Sequence, residues 1–273
     1  MEHIALPDKF EVKNIGDHHA EITIEPCFPG FGTTLGNALR RVLLSSLNGA
    51  AITAVHFKGA THEFSTIPGV KEDVVEILLN LKKIRFKLHG TDEAKATLKV
   101  KGEKKVKAKD FKTTSDTEVI SSDAEIATIT DKDADFELEV TINTGRGYVP
   151  VENMDNKKLS LGTIAVDAIY TPVRNVNFNV ENVRVGQMTN YDKVVLNILT
   201  DGTITPEDSI KIASQILVDH FSHIAAFGKT IPEIAVAEAT EEAKGDDIEK
   251  ETVEKEKDAE KPKKKRGRPK KEQ

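Results

Sequence analysis

The chain has no tryptophan, one cysteine, and only three methionines and three tyrosines among its 273 residues, and aromatic side chains make up 5% of it. A lone Cys27 excludes an intramolecular disulfide and the paired-cysteine spacings of structural zinc sites, and it suits a reducing compartment. No stretch approaches the roughly 20 apolar residues of a membrane span, and Met1 to Lys9 has neither a basic start nor the apolar run of an export signal. A soluble, cytoplasmic chain with no membrane contact is expected. Charge of one sign is missing too: 39 Lys and Arg stand against 45 Asp and Glu, a net charge of −6. Any nucleic-acid contact must therefore come from a local basic segment, because there is no overall basic field.

Catalytic signatures are equally scarce. There is no G-x-S-x-G elbow, no H-E-x-x-H and no cysteine with an evident base, so no catalytic residue is named. The stretch Pro29-Gly30-Phe31-Gly32-Thr33-Thr34-Leu35-Gly36 opens a helix after a strand, where phosphate loops sit. Its glycines have the wrong spacing for a dinucleotide fold, and Asn37 stands where a P-loop needs lysine. A tight strand-to-helix entry, with glycines letting the helix approach the sheet, is the better reading. Asp131, Asp133 and Asp135 alternate as in a calcium loop, but Phe136 and Ile142 occupy its glycine and glutamate positions. His220 and His223 lie one turn apart without matching cysteines or carboxylates and are read as solvated or partner-facing. No metal or cofactor is assigned to this chain.

What is present is periodicity. Phe136, Leu138, Val140 and Ile142, and earlier Ala96, Leu98 and Val100, alternate with polar neighbours, which predicts half-buried strands of mainly antiparallel sheets. Three segments have helical spacing. The first, about Thr34 to Leu47, carries Leu35, Leu39, Val42, Leu43 and Leu47 on one side with Arg40 and Arg41 off the stripe. The second, about Val70 to Ile84, carries Val74, Ile77, Leu78 and Leu81, with Glu72, Asp73, Glu76 and Lys82 near solvent. The third opens with Thr205 as cap, Pro206 in the first turn and Glu207 and Asp208 at the positive helix end. It runs to about Phe227 through Ile210, Ala213, Leu217, Phe221 and Ile224. Its near-3.5 period suits packing against another helix, inside one molecule or across a dimer. The order of elements argues for an α+β fold, with no internal repeat.

From Val236 onward there is no aromatic residue and little branched apolar surface, too little to offset the entropy of ordering. Glu238 to Glu260 is acid-rich and Lys261 to Lys271 is basic, so 236–273 reads as a disordered acidic tether with a basic tip, reaching about 30 to 40 Å on average. The tip, with Lys265, Arg266, Gly267, Arg268, Pro269 and Lys270 at its centre, resembles an AT-hook. Glycine there would let the backbone lie deep in a narrow minor groove, the arginines follow its floor and the lysines reach phosphates. A merely solubilising or nonspecific basic tail, or a nuclear localisation signal, remains the competing reading.

The run Gly30 to Ser46, GFGTTLGNALRRVLLSS, resembles the signature of the bacterial RNA polymerase alpha-subunit family. It is followed in family order by His62-Glu63-Phe64-Ser65-Thr66, Gly69-Val70, Glu72-Asp73, Glu76 to Lys82, Gly145 to Pro150, Val166-Asp167-Ala168, Tyr170 to Val173, and Gly202-Thr203-Ile204. The similarity spans about residues 5 to 230. It implies a discontinuous dimerisation domain, 1–49 plus 174–235, with mainly antiparallel sheet and two packed helices, interrupted by an inserted mixed α/β domain, 50–173. It further implies a homodimer on which the large beta and beta-prime subunits assemble, with omega and sigma in the complex and the catalytic magnesium in another subunit. By the same resemblance, Asn37, Arg40, Arg41 and His62 dock beta, with Arg41 central, and Glu76 and Lys82 face beta-prime. Leu35, Leu39, Leu43, Leu217, Phe221 and Ile224 fall in the dimer helices. Such a protein would be bacterial and cytoplasmic, reaching the nucleoid through the polymerase. Family members carry a compact helical C-terminal domain that binds A/T-rich DNA. The charged tail here is too short and too polar for one, and the AT-hook-like tip is expected to stand in for it. Two other classes remain: a free-standing architectural DNA-binding protein, and a nucleotide-using enzyme that would need the glycine loop to hold phosphate.

Overall fold

The computed structural model describes residues 4–154, 160 and 162–227; the basic tip and its tether lie outside the described residues. In chain order the elements begin with β1 (Lys9–Gly16), β2 (His19–Cys27), α1 (Phe31–Ser45), β3 (Asn48–Phe57), α2 (Val74–Leu81), β4 (Phe86–Leu88) and β5 (Glu93–Lys101). Next come β6 (Lys104–Lys107), β7 (Phe111–Lys112), β8 (Thr117–Val119), β9 (Glu125–Ile129), β10 (Asp135–Arg146) and β11 (Tyr148–Val149). The chain closes with β12 (Thr163–Ala165), β13 (Ala168–Ile169), β14 (Val173–Val185), β15 (Met188–Thr200) and α3 (Pro206–Ala225). The fold is α+β, and every strand pairing recorded is antiparallel.

Two large cores share this chain, with a small third cluster of Ala51, Ala168 and Tyr170. The smaller of the two large cores lies under the four-stranded sheet β1-β2-β15-β14. Alternation places Ala20, Ile22 and Ile24 of β2 and Val194, Leu196 and Ile198 of β15 on its inner face, where Leu39 and Leu43 of α1 and Ala213 of α3 cover them. The larger core fills 50–166. Phe136, Leu138, Val140 and Ile142 of β10 and Ala96, Leu98 and Val100 of β5 bury one face of the sheet ordered β7-β5-β10-β3-β4-β8, with β12 on β3. On the polar side of that sheet, Lys58, Lys95, Lys99 and Lys101 pair with Asp135, Glu137 and Glu139. Asp135, one of the three alternating aspartates, is thereby committed to lysines. Among the described residues no cluster of three or more His, Cys, Asp or Glu is placed to hold a metal.

All three helices depart from the bounds their spacing predicts. The first starts three residues early, because Gly30 turns the chain with φ 84° and the Asp192 carboxylate on β15 accepts the Gly30 and Gly32 N–H groups, both at 2.9 Å. Gly32 and Gly36 therefore lie inside the helix. A Cβ on Gly36 would stand 2.4 Å from the Phe178 ring and one on Gly32 2.8 Å from Val180, so the glycines set how near α1 lies to the sheet. The second helix is shorter than its apolar spacing suggests. Asp73 caps it by accepting the Glu76 N–H at 2.7 Å, and residues 70–73 are loop, with Val70 bridged to Ile129. The third begins as predicted, with Thr205 accepting the Asp208 N–H at 3.1 Å, and ends at Ala225, two residues short of Phe227.

Candidate functional site: one face of α1 and the strip beside α2

α1 is two-sided. Leu39 and Leu43 point into the chain's own core and Leu35 packs against it, while Asn37, Arg40 and Arg41 stand exposed on the other side. Within the protomer, Leu39 and Leu43 are buried against the sheet beneath them. Truncating either would cost roughly 2 to 5 kcal/mol of protomer stability, as for any core leucine. α3 is divided along its length. Ala213 is buried and Leu217 half-buried against the core, but Phe221 and Ile224 are 61% and 66% exposed. Phe10 on β1 pairs with Ile24 and so points to the inner face of the sheet, yet it is 64% exposed because neither helix covers it. An apolar surface of this kind on both a strand and a helix is unusual for a face meant to stay in water.

The loop carrying His62 belongs with α2. Its Ser65 hydroxyl donates to the His62 carbonyl at 2.6 Å, and the Val74 N–H at the head of α2 donates to the Ser65 carbonyl at 3.2 Å. No described hydrogen bond or ion pair joins that loop to Arg40 or Arg41, so the residues grouped by motif around Arg41 divide between two elements. α2 itself is braced at both ends against β9: Glu72 accepts the Thr128 N–H at 2.6 Å, and Asn80 donates to the Ile126 carbonyl at 3.2 Å. Burial raises the Glu72 carboxyl, but the Thr128 N–H and the nearby Lys71 outweigh it and leave its pKa below the ordinary value.

At the other end of α2 the chain gathers polar groups that spacing alone does not single out. Lys82 Nζ sits 2.8 Å from Asp167 Oδ2, and the Val151 N–H donates to Oδ1 at 3.0 Å. These bonds, with one from the Tyr148 hydroxyl, hold the Asp167 carboxyl below the usual carboxylate range. Tyr148 pairs with Ile169 across β11 and β13, and both side chains are exposed beside the ion pair. Gly147 turns this strip, with φ 65°, past the Ser45 carbonyl at the end of α1. Tyr148 and Asp167 stand in motifs whose order is legible, but their meeting with Lys82 depends on the return of a strand about 85 residues later. Glu76 is exposed on the outward side of α2.

Comparison with known proteins gives a consistent answer. Residues 55–171 match the model of the RNA polymerase Rpb3/RpoA insert domain. The chain is 43% identical over 241 residues to the DNA-directed RNA polymerase subunit alpha of Alkaliphilus oremlandii, covering 88% of this chain and 76% of that protein. It is 47% identical over 229 residues to the protein of the same name from a Roseiflexus species, covering 84% and 70%. The Geobacter metallireducens protein of that name is 44% identical over 238 residues, with 86% and 70% covered.

Proposed function

Since the chain belongs to the family of alpha subunits of DNA-directed RNA polymerase, we propose that it acts as a non-catalytic assembly subunit, a homodimer on which the beta and beta-prime subunits gather for transcription. One observation carries this reading: the core-facing leucines of α1 are consumed within the protomer, while its arginines and the apolar end of α3 are left outside. Phe221 and Ile224, with Phe10 of β1, supply apolar surface for a second copy, and Arg40, Arg41 and Asn37 supply donors for carboxylates or carbonyls of a large subunit. In a two-fold dimer both copies present the same surfaces, so one protomer would give its surface to beta and the other to beta-prime. Lys82 and Glu76 are the residues for beta-prime, with the exposed Tyr148 and Ile169 beside them.

On this reading 50–173 is the inserted domain between the two parts of the dimerisation domain, 1–49 and 174–235. The reaction, nucleotidyl transfer to RNA on a DNA template, belongs to the complex in the cytoplasm. The basic tip around Arg266-Gly267-Arg268-Pro269 gives the dimer a contact to A/T-rich DNA. The test is co-expression of the tagged full chain with beta and beta-prime. Arg41→Ala is expected to leave the sedimentation of the free dimer unchanged and to lower recovered beta by about tenfold, the loss of a charged hydrogen-bonding anchor. Undiminished recovery of beta would take Arg41 out of the docking surface.

A further inference from the structure

Both cores belong to one compact unit ending at Gly228. The chain passes between them at Asn48 to Ala50 and again at Tyr170 to Val173. A Cβ on Gly49 would stand 1.8 Å from the Tyr170 carbonyl oxygen, so the two crossings lie against each other as a single joint. Next to the joint is a cleft of about 520 Å³, with Phe86 and Leu88 on one wall and Thr203, Ile204 and Ile212 on the other. Directly upstream of each wall stands one half of a buried ion pair. Arg85 Nε lies 3.4 Å from Asp201 Oδ2, and the two side chains are 12% and 3% exposed.

Among the described residues this is the one ion pair that joins the two cores; every other closes within its own half. Both partners are fixed by further bonds. Arg85 Nη1 donates to the Ile169 carbonyl at 2.9 Å, and the Arg85 carbonyl accepts the Ile120 N–H at 3.0 Å. Asp201 Oδ1 accepts the Thr203 N–H at 3.0 Å and its hydroxyl at 2.6 Å, and the Asp201 N–H donates to the Pro172 carbonyl at 2.9 Å. Arg85 Nε has no aligned hydrogen-bond acceptor, so Asp201 balances it by proximity alone. Burial pulls the Arg85 guanidinium below its ordinary range, Asp201 pulls it back, and Arg174 pushes it down again.

We propose that Arg85 and Asp201 are the latch of this joint, positioning residues that set the angle between α2 and α3 and thereby where Lys82 stands relative to the dimer helix. The consequence for assembly rests on the reading that α2 faces a large subunit. A buried pair of this kind has an asymmetric response. Removing one partner leaves a charge buried without compensation, whereas removing both with shape kept is far milder.

The experiment uses the full chain with Arg85→Met, Asp201→Asn and the double variant, read by amide hydrogen exchange and by capture of the large subunits. Asp201→Asn keeps a side-chain oxygen for Thr203 and is the milder single change. Each single variant is expected to speed exchange about tenfold on both walls, residues 84–88 and 201–205, while β5 and β10 stay as slow as in the parent. The double variant is expected to recover most of that protection, and capture of the subunit at α2 should fall and recover in parallel. Faster exchange confined to the wall that carries the substitution, or a double variant worse than either single one, would overturn the latch. Coupled opening with unchanged capture would keep the latch and remove α2 from the docking surface.

Discussion

The residues that decide the local geometry act across long distances in the chain. Asp192 caps a helix that begins some 160 residues earlier, with both accepted N–H groups at 2.9 Å. Nothing near Gly30 in sequence announces that partner, which is why helical spacing alone starts α1 at Thr34. The glycines are the legible half of the same feature: their closeness to the sheet is expected from their place after a strand, and Gly36 shows how tight it is. Alanine at Gly36 would gain about 1 kcal/mol of helix propensity. Its methyl carbon would stand 2.4 Å from Phe178, inside any real contact distance, so the ring or the helix must move. Overpacking of this kind costs about 1 to 3 kcal/mol. Gly36→Ala should therefore be net destabilising, seen as a lower urea midpoint; an unchanged or raised midpoint would mean Phe178 swings away freely. Asp167 makes a pH prediction at the same scale. The Lys82 ammonium and the Val151 N–H hold its folded pKa below its unfolded value, which is about 3.9. Its contribution is therefore full above pH about 4 and is lost as pH falls through the folded value. Asp167→Asn should be less stable than the parent at pH 7, with the gap closing only as pH falls below about 4, in urea melts at each pH. A gap that stays constant through that fall would show the charge of Asp167 to be without effect.

Among the elements, α3 was the most legible at its start and the least at its end. Thr205, Pro206, Glu207 and Asp208 fix the first turn by local chemistry, and the helix begins there as predicted. The apolar repeat through Leu217, Phe221 and Ile224 is visible in sequence, but repeat alone does not say which turns face the chain's own sheet. Burial divides them, with Ala213 inside and Phe221 and Ile224 outside. The same limit holds for Leu39 and Leu43 of α1, which share a stripe with partner-facing expectations and pack within the protomer against β2 and β15. The division yields a prediction of separate effects. Glutamate at both Phe221 and Ile224 removes apolar contact worth about 1.5 to 3 kcal/mol per buried side chain and puts charge in its place. The double variant should sediment as a monomer at micromolar concentration while its secondary structure by circular dichroism matches the parent. A variant that stays dimeric would move the interface off this end of α3.

For the whole molecule, alternation and helical spacing revealed an α+β chain and its mainly antiparallel sheets, but not that β1 and β2 pair with β15 from the far end. That pairing closes the four-stranded sheet across the entire 50–173 segment, and two separate cores follow from it. Non-local pairing of this order has no local signature in periodicity. Charge, by contrast, is readable at this scale without coordinates. The chain as a whole is at −6, whereas Lys261 to Lys271 holds eight lysines and arginines and no acid. DNA would thus be repelled by most of the molecule and attracted by one segment, and any binding should vanish when that segment is removed. A chain ending at Ala235 is expected to show no binding to an A/T-run duplex at 100 mM salt, where the full chain binds it at least about tenfold more tightly than a G/C duplex. If about six of the eight cations meet phosphates, the affinity of the full chain should fall with a slope of about −5 in log K against log salt. A steep slope with equal affinity for both duplexes would reduce the tip to a nonspecific cation. A steep slope with A/T preference requires the arginines to enter the narrow groove as well as the lysines to sit along the backbone. Replacing Arg266 and Arg268 by lysine keeps every charge and separates these contributions, because it should abolish the A/T preference while leaving the slope within about one unit of the parent.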